Sequence, residues 1–568
     1  MKNKIKLLLG ASLLLVITSC GGDPVSSSIN SIPTPGTTSQ TTSTGPAIEY
    51  KTNEDFELAR TTYVDENGET KNLYRQTLYD NQNSPHLDSL EEQRVLVVPF
   101  GFTDSDLQEK VQTKENIERI KTVFFGTREQ VQEKGGWYSV QDFYNTSSFG
   151  KSKFEGDVVN NWCIYNGTSS QFSSNSSTLG IDAGTYVRSW YLTEYAKADH
   201  GLLGAEAKPL TYYDQDDDGY IDLLWMVYSH PYSTDQSQTW WAYVTYTNNG
   251  PSENLNAPNV MTLGWASINF MNDAFNGYDA HTFIHETGHT YGLDDYYDYN
   301  DSWSPMGAID MMDNNIGDHC AFSKFSLGWL SPLVVDDSAI ITLRPTTITG
   351  DCFIIPSQDY NGTVFDEYMM VEFMSPVGLA EIDYKQGYKY ISGYSEPGIR
   401  ISHIDARAVS ALSASAENYL TTNPEDGVDI RIANSKGGRS SGHEDGNYFP
   451  VEKNGKIEYN SYALTMMFES NPDVDSNITT SKGNSASKDS LFGTFSSFDL
   501  EGEDNVWANI YMPSRSNLWN KAKTMTGGSV HKDQKYTINE EYTFDYKIEV
   551  LSVNKETAKV RVTKINRD

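Results

Sequence analysis

Cysteine is scarce in this chain: Cys20, Cys163, Cys320 and Cys352 are the whole complement in 568 residues. That excludes a disulfide-stapled scaffold, although it leaves open whether Cys320 and Cys352 pair. Positive charge is also short, with 43 Lys and Arg against 77 Asp and Glu, for a formal net charge of −34. A surface of that sign repels phosphate backbones and anionic headgroups, so nucleic acid and direct adhesion to a lipid surface are excluded as partners. The longest apolar run near the N-terminus, Leu7 to Ile17, is too short to span a bilayer comfortably. No internal repeat is apparent. Aromatic residues are plentiful, with 36 Tyr, 23 Phe and 11 Trp, so the acidity does not mark a disordered chain. The length leaves room for two to four domains.

The chemistry is concentrated between His281 and Asp295, where the chain reads His-Thr-Phe-Ile-His-Glu-Thr-Gly-His-Thr-Tyr-Gly-Leu-Asp-Asp. On a helix His285 and His289 lie on one face and can hold one metal ion together. Glu286 directly follows the first ligand, where it can act on a water held by the ion. Gly292 offers a left-handed exit from the helix. The chain can then turn back and bring Asp295 beneath the metal as third ligand. A glutamate from a later helix is the other common third ligand, but none follows Glu286 until Glu367, in a strand-like stretch. His281 shares the face of His285. It is either a fourth ligand or a polar residue of the first turn, and a catalytic zinc keeps one position open.

The stretch from His285 to Asp298 resembles the active site of the immune inhibitor A peptidases, the M-six metallopeptidases of metzincin type. Ile309-Asp-Met-Met-Asp313 and Lys324-Phe-Ser-Leu-Gly-Trp-Leu330 resemble segments that follow the active-site helix there. Arg94 to Phe100 resembles the opening strand of that catalytic domain, and Tyr144 to Lys151 its Ser-rich Gly-Lys segment. The resemblance spans roughly residues 92–331. It implies a zinc endopeptidase with Glu286 as general base and His285, His289 and Asp295 as ligands. Where the family usually has proline, this chain has Asp294, which leaves two adjacent aspartates. Sister metzincins carry histidine three residues after the glycine, the spacing of Asp295. Met306, Met311 and Met312 are candidates for the methionine beneath the metal, and the match favours Met312. His319 and Tyr297 are candidates for stabilising an oxyanion, with a structural role as the alternative.

In chain order, residues 1–20 read as an export signal, with Lys2, Lys4 and Lys6 ahead of the apolar run. Its end, Ile-Thr-Ser-Cys20, resembles a bacterial lipoprotein signal and implies lipidation of Cys20. The expected location is the cell surface or outer face of a bacterial membrane, with the membrane touched only through that lipid. The alternative is an ordinary secretory signal. Residues 21–47 are a Ser/Thr/Pro-rich tether. Residues 48–91 form an N-terminal addition or pro-segment, without a cysteine that could hold the zinc latent. Residues 92–331 predict a mixed α/β catalytic domain. Val95 to Phe100 and Leu223 to Tyr228 are buried strands, and 106–125 and 185–198 are helices.

Asp214-Gln-Asp216-Asp-Asp218-Gly-Tyr220-Ile-Asp222 matches the first half of a calcium loop: alternate carboxylates, a glycine turn and the Tyr220 carbonyl. Trp225 stands where an EF-hand has its bidentate glutamate, and an acidic surface turn is the competing reading. Trp240 to Tyr246 has strand composition. It is either an edge strand that binds a peptide backbone or a packed core strand. From 332 to 568 short apolar or alternating runs predict one or two β-sandwich-like domains. Residues 408–446 and 469–495 read as long loops.

The expected function is a surface-tethered zinc endopeptidase acting on extracellular proteins or peptides, with calcium as a second ion. Two alternatives remain: a zinc hydrolase of glycopeptides or glycans, and a binding lipoprotein whose protease-like domain is inactive.

Overall fold

The computed structural model describes residues 87–233, 239–247, 249–272, 277–293, 295–297, 306–314, 316–356, 364, 367–385, 393–405, 465–471, 486–487, 490–500 and 545–565. At 367 and 405, and in short strands at 48–50, 62–64, 70–72, 409–411, 430–432, 447–453, 456–462, 523–526 and 535–538, only the backbone is described. The signal segment with Cys20, the tether, Asp294, and most of 48–86 and 408–446 lie outside these residues. Among the described residues no helix is long and apolar enough to cross a membrane.

The fold is mixed α/β and built around several sheets. The first has six strands. Its main path runs β2 (Lys153–Val158), β1 (Glu92–Gly101), β3 (Leu223–Tyr228), β5 (Thr262–Ser267) and β4 (Tyr243–Tyr246). Strands β2, β1, β3 and β5 are parallel, and β4 closes one edge antiparallel to β5. The uninterrupted apolar runs of β1 and β3 follow from burial on both faces. Val95, Val97, Trp225 and Val227 face one layer, made by α1 (Lys114–Phe125), α2 (Val140–Ser147) and α4 (His281–Thr290). Leu96, Val98, Leu224 and Met226 face α3 (Leu179–Tyr195) on the other side.

Two helices differ from the sequence expectation. The stretch 106–125 is split into Ser105–Lys110 and α1, because Thr113 leaves helical geometry to cap α1 by accepting from the Asn116 N–H. Helix α3 begins before 185 and takes in Gly180 and Gly184. Glycine is a poor helix former, but a Cβ on Gly184 would come within 2.6 Å of Leu263 Cδ2. The close approach of α3 to β5 requires it.

Beyond α5 (Ala321–Ser326) come two sheets of five strands each. One orders Leu333–Val334, β7 (Cys352–Pro356), β8 (Glu367–Met374), β9 (Gly398–Asp405) and β10 (Thr465–Phe468). The other orders Ile48–Tyr50, β6 (Ala339–Leu343), β13 (Ala558–Lys564), β12 (Tyr546–Val553) and β11 (Ser497–Phe498). A short stretch of the 48–91 segment is thus paired with the C-terminal region. Phe353, Met369, Val371 and Ile401 pack against Ile341, Val550, Val560 and Val562 in a shared core, so the two sheets form a sandwich. Their alternate neighbours Ile354, Tyr368, Met370 and Ile404 join the core of the first unit instead. The β7–β10 sheet is therefore buried on both faces and joins the two units. Cys163, Cys320 and Cys352 are free, buried thiols, so no bridge ties Cys320 to Cys352.

Candidate metal centre

Helix α4 runs behind β4 and carries His285 and His289 one turn apart. Each ring is oriented by its far nitrogen. His285 Nδ1 donates to Met311 O at 2.7 Å, and His289 Nδ1 donates to Leu293 O at 2.8 Å. Those bonds fix the tautomer and leave both Nε2 atoms as lone pairs. Gly292 has φ +90°, a conformation that favours glycine. The turn it makes places Leu293 O on His289 and sends the chain back beneath the helix.

Asp295 then arrives with Oδ1 at 2.8 Å from His285 Nε2 and 3.3 Å from His289 Nε2. The converging imidazole nitrogens and carboxylate oxygen need positive charge among them, supplied by a proton on an imidazole or by a metal ion. One ligand atom from each of these residues lies within 4.8 Å of the others. Without an ion, a proton held between His289 and Asp295 meets that need. Burial works to lower the pKa of His289, but Asp295 facing it lifts the value to about 10. Burial works to raise Asp295, but the two histidines hold it well below the usual carboxylate range. This donor set, two nitrogens and a carboxylate, suits zinc. Glu286 is buried beside the three, its pKa raised by burial and partly pulled back by His289 and His285.

Met306, Met311 and Met312 are all fully buried. Met312 is the one beneath the helix: a Cβ on Gly288 would meet its Sδ at 2.5 Å. Gly288 was not singled out by the sequence reading, yet a glycine between two helical ligands costs about 1 kcal/mol of helix propensity. That cost was the available signal of a close neighbour. Thr287 accepts from Trp225 Nε1 at 3.2 Å, and Tyr144 OH donates to Ile284 O at 2.6 Å. These contacts lock α4 to β3 and α2.

The remaining candidates are placed as follows. His281 does not join the three. Its Nδ1 pairs with Asp279 Oδ1 at 2.6 Å and its ring stacks on Trp137 at 4.9 Å. Tyr297 stacks on His285 with ring centroids 6.4 Å apart. His319 is 2% exposed among Phe143, Tyr144 and Trp329. Burial and Lys324 hold its pKa well below the usual imidazole value.

In the acidic loop, Asp214, Asp216 and Asp218 bring one oxygen each within 4.8 Å of the others. Asp214 Oδ1 is buried without a hydrogen-bond partner. Burial and neighbouring aspartates raise Asp214 to about 6, and burial raises Asp218 to about 6. The Tyr220 N–H donates to Asp218 Oδ1 at 2.7 Å. Asp222, expected among the ligands, accepts from the N–H of Arg94 at 2.8 Å and of Gln215 at 3.0 Å. It fastens the loop to β1 and stands apart from the converging three.

No protein-family model and no curated protein matches this chain.

Proposed function

We propose that this chain is a zinc-dependent endopeptidase of metzincin type, similar to the immune inhibitor A peptidases, which hydrolyses peptide bonds of extracellular proteins. The observation that carries the reading is the convergence of His285 Nε2, His289 Nε2 and Asp295 Oδ1, with Glu286 buried one residue after the first of them. When bound, zinc supplies Lewis-acid chemistry toward the scissile carbonyl and the attacking water. Glu286 takes the proton of that water and returns it to the leaving amine; its raised pKa suits both halves of the task. Strand β4 supplies the peptide platform. It is a sheet edge, and Tyr246 OH donates to His289 O at 3.1 Å, so it runs directly beside the metal ligands. An extended substrate pairing with β4 would present its backbone to them.

Asp214, Asp216 and Asp218 are proposed to hold calcium as a structural ion. The proposed location is the outer face of a bacterial membrane, through lipid on Cys20. The decisive experiment is Glu286→Gln in the purified chain. Zinc content should be unchanged, and peptide turnover should fall by at least about 10²-fold, the lower end for losing a general base. Undiminished cleavage by this variant would falsify the mechanism.

A further inference from the structure

The segment that forms the floor of the metal centre is held at both ends by an ion pair from the C-terminal sandwich. Arg400 and Glu372 are register partners across β9 and β8, on the face turned toward the first unit. They are 3% and 2% exposed. The guanidinium grips the carboxylate through two bonds, Nε to Oε2 and Nη2 to Oε1, both at 2.8 Å. Each partner also reaches across to the floor segment. Arg400 Nη1 donates to Ile309 O at 3.4 Å, and Glu372 Oε1 accepts from the Ala321 N–H at 2.9 Å.

Between those anchors, Asp310 accepts from the N–H groups of Met312 and Cys320, both at 2.7 Å. Met311 O receives the Nδ1 proton of His285 at 2.7 Å, and Met312 O receives the N–H of Tyr296 at 2.9 Å. The first metal ligand and the neighbour of the third thus both hang on a segment whose ends are fixed from the other unit. A third contact has the same origin: Asp383 lies so close to Gly317 that a Cβ there would meet its Oδ1 at 2.4 Å.

We propose that Arg400 and Glu372 are positioning residues of the metal centre, through which the C-terminal sandwich sets the orientation of His285 and Asp295. The inference rests on the zinc reading given above. A buried ion pair is a weak source of net stability: breaking one partner is costly, whereas replacing both by apolar side chains is often tolerated. A pair that also donates to and accepts from another unit's backbone does something an apolar pair cannot.

The test uses that distinction in the full chain. Arg400→Met leaves Glu372 buried and unpaired, and should unfold at lower temperature than wild type. Arg400→Met with Glu372→Met should recover much of the melting temperature, yet bind zinc about tenfold more weakly, the low end for losing a group that orients ligands. Its cobalt-substituted form should show a shifted visible spectrum, which reports ligand geometry. Arg400→Lys keeps the charge and should fall between the two in zinc affinity. Wild-type zinc affinity and an unshifted cobalt spectrum in the double variant would overturn the proposal while leaving the zinc reading intact. A wild-type chain that takes up no zinc overturns both.

Discussion

At the scale of single residues, two glycines decide what the histidines can do. Gly292 supplies the left-handed turn, and Gly288 supplies room for Met312. In an exposed helix, Gly→Ala stabilises by about 0.5–1 kcal/mol. At 288 the new methyl meets a fully buried methionine, and overpacking of that kind costs about 1–3 kcal/mol. Gly288→Ala should therefore lower stability in urea unfolding. In a Met312→Ala background the same change should become neutral or stabilising, since the obstacle is gone. Equal costs in the two backgrounds would show that Met312 is not what fills the space.

At the scale of elements, the acidic loop controls the entry to two neighbouring strands. It begins at Asp214 and turns through Asp217 at φ +58° and Gly219 at φ +89°. It then feeds Tyr220–Ile221, which pairs with Asn259–Val260, before continuing into β3. Asp222 ties it back to β1 through the Arg94 N–H. An ion that binds only the folded loop raises stability by about 2.7 kcal/mol at a hundredfold excess over its dissociation constant. Millimolar calcium should accordingly raise the melting temperature, and Asp216→Ala with Asp218→Ala should abolish the rise. A rise of the same size in the double variant would locate calcium elsewhere.

At the scale of the whole molecule, the junction between the two units carries buried charge as well as apolar packing. Burial lifts Asp310 to about 6, and Arg400 and the N–H groups of Cys320 and Met312 pull it only part of the way back. Asp383, on the sandwich side, is itself held well above the carboxylate range by burial. An unfolded aspartate titrates near about 3.9. The folded chain therefore binds the Asp310 proton more tightly than the unfolded one. The stability this contributes is complete below about pH 4 and is lost as the pH rises through about 6. In metal-free protein, stability from this group should fall across that window, and Asp310→Asn should flatten the fall. A slope identical to wild type would assign the titration to another group.

The local sequence determined the convergence of His285, His289 and Asp295, because all three lie within one helix and the turn after it, where spacing fixes direction. It also determined β1 and β3, whose unbroken apolar runs admit few other readings, and the β-rich texture after 332. The third dimension decided the rest. That β4 lies at an edge depends on where the chain stops adding strands, which its composition does not record. The start of α3 was hidden because Gly180 and Gly184 answer to β4 and β5 across the fold, against their own helix propensity. Asp222 carries the same side chain as its neighbours, and only its distance to β1 separates a fastening from a ligand. Arg400 and Glu372 lie far along the chain from the histidines they help to hold. Two charged residues in alternating strands read as an exposed face until the sheet is seen to be covered on both sides.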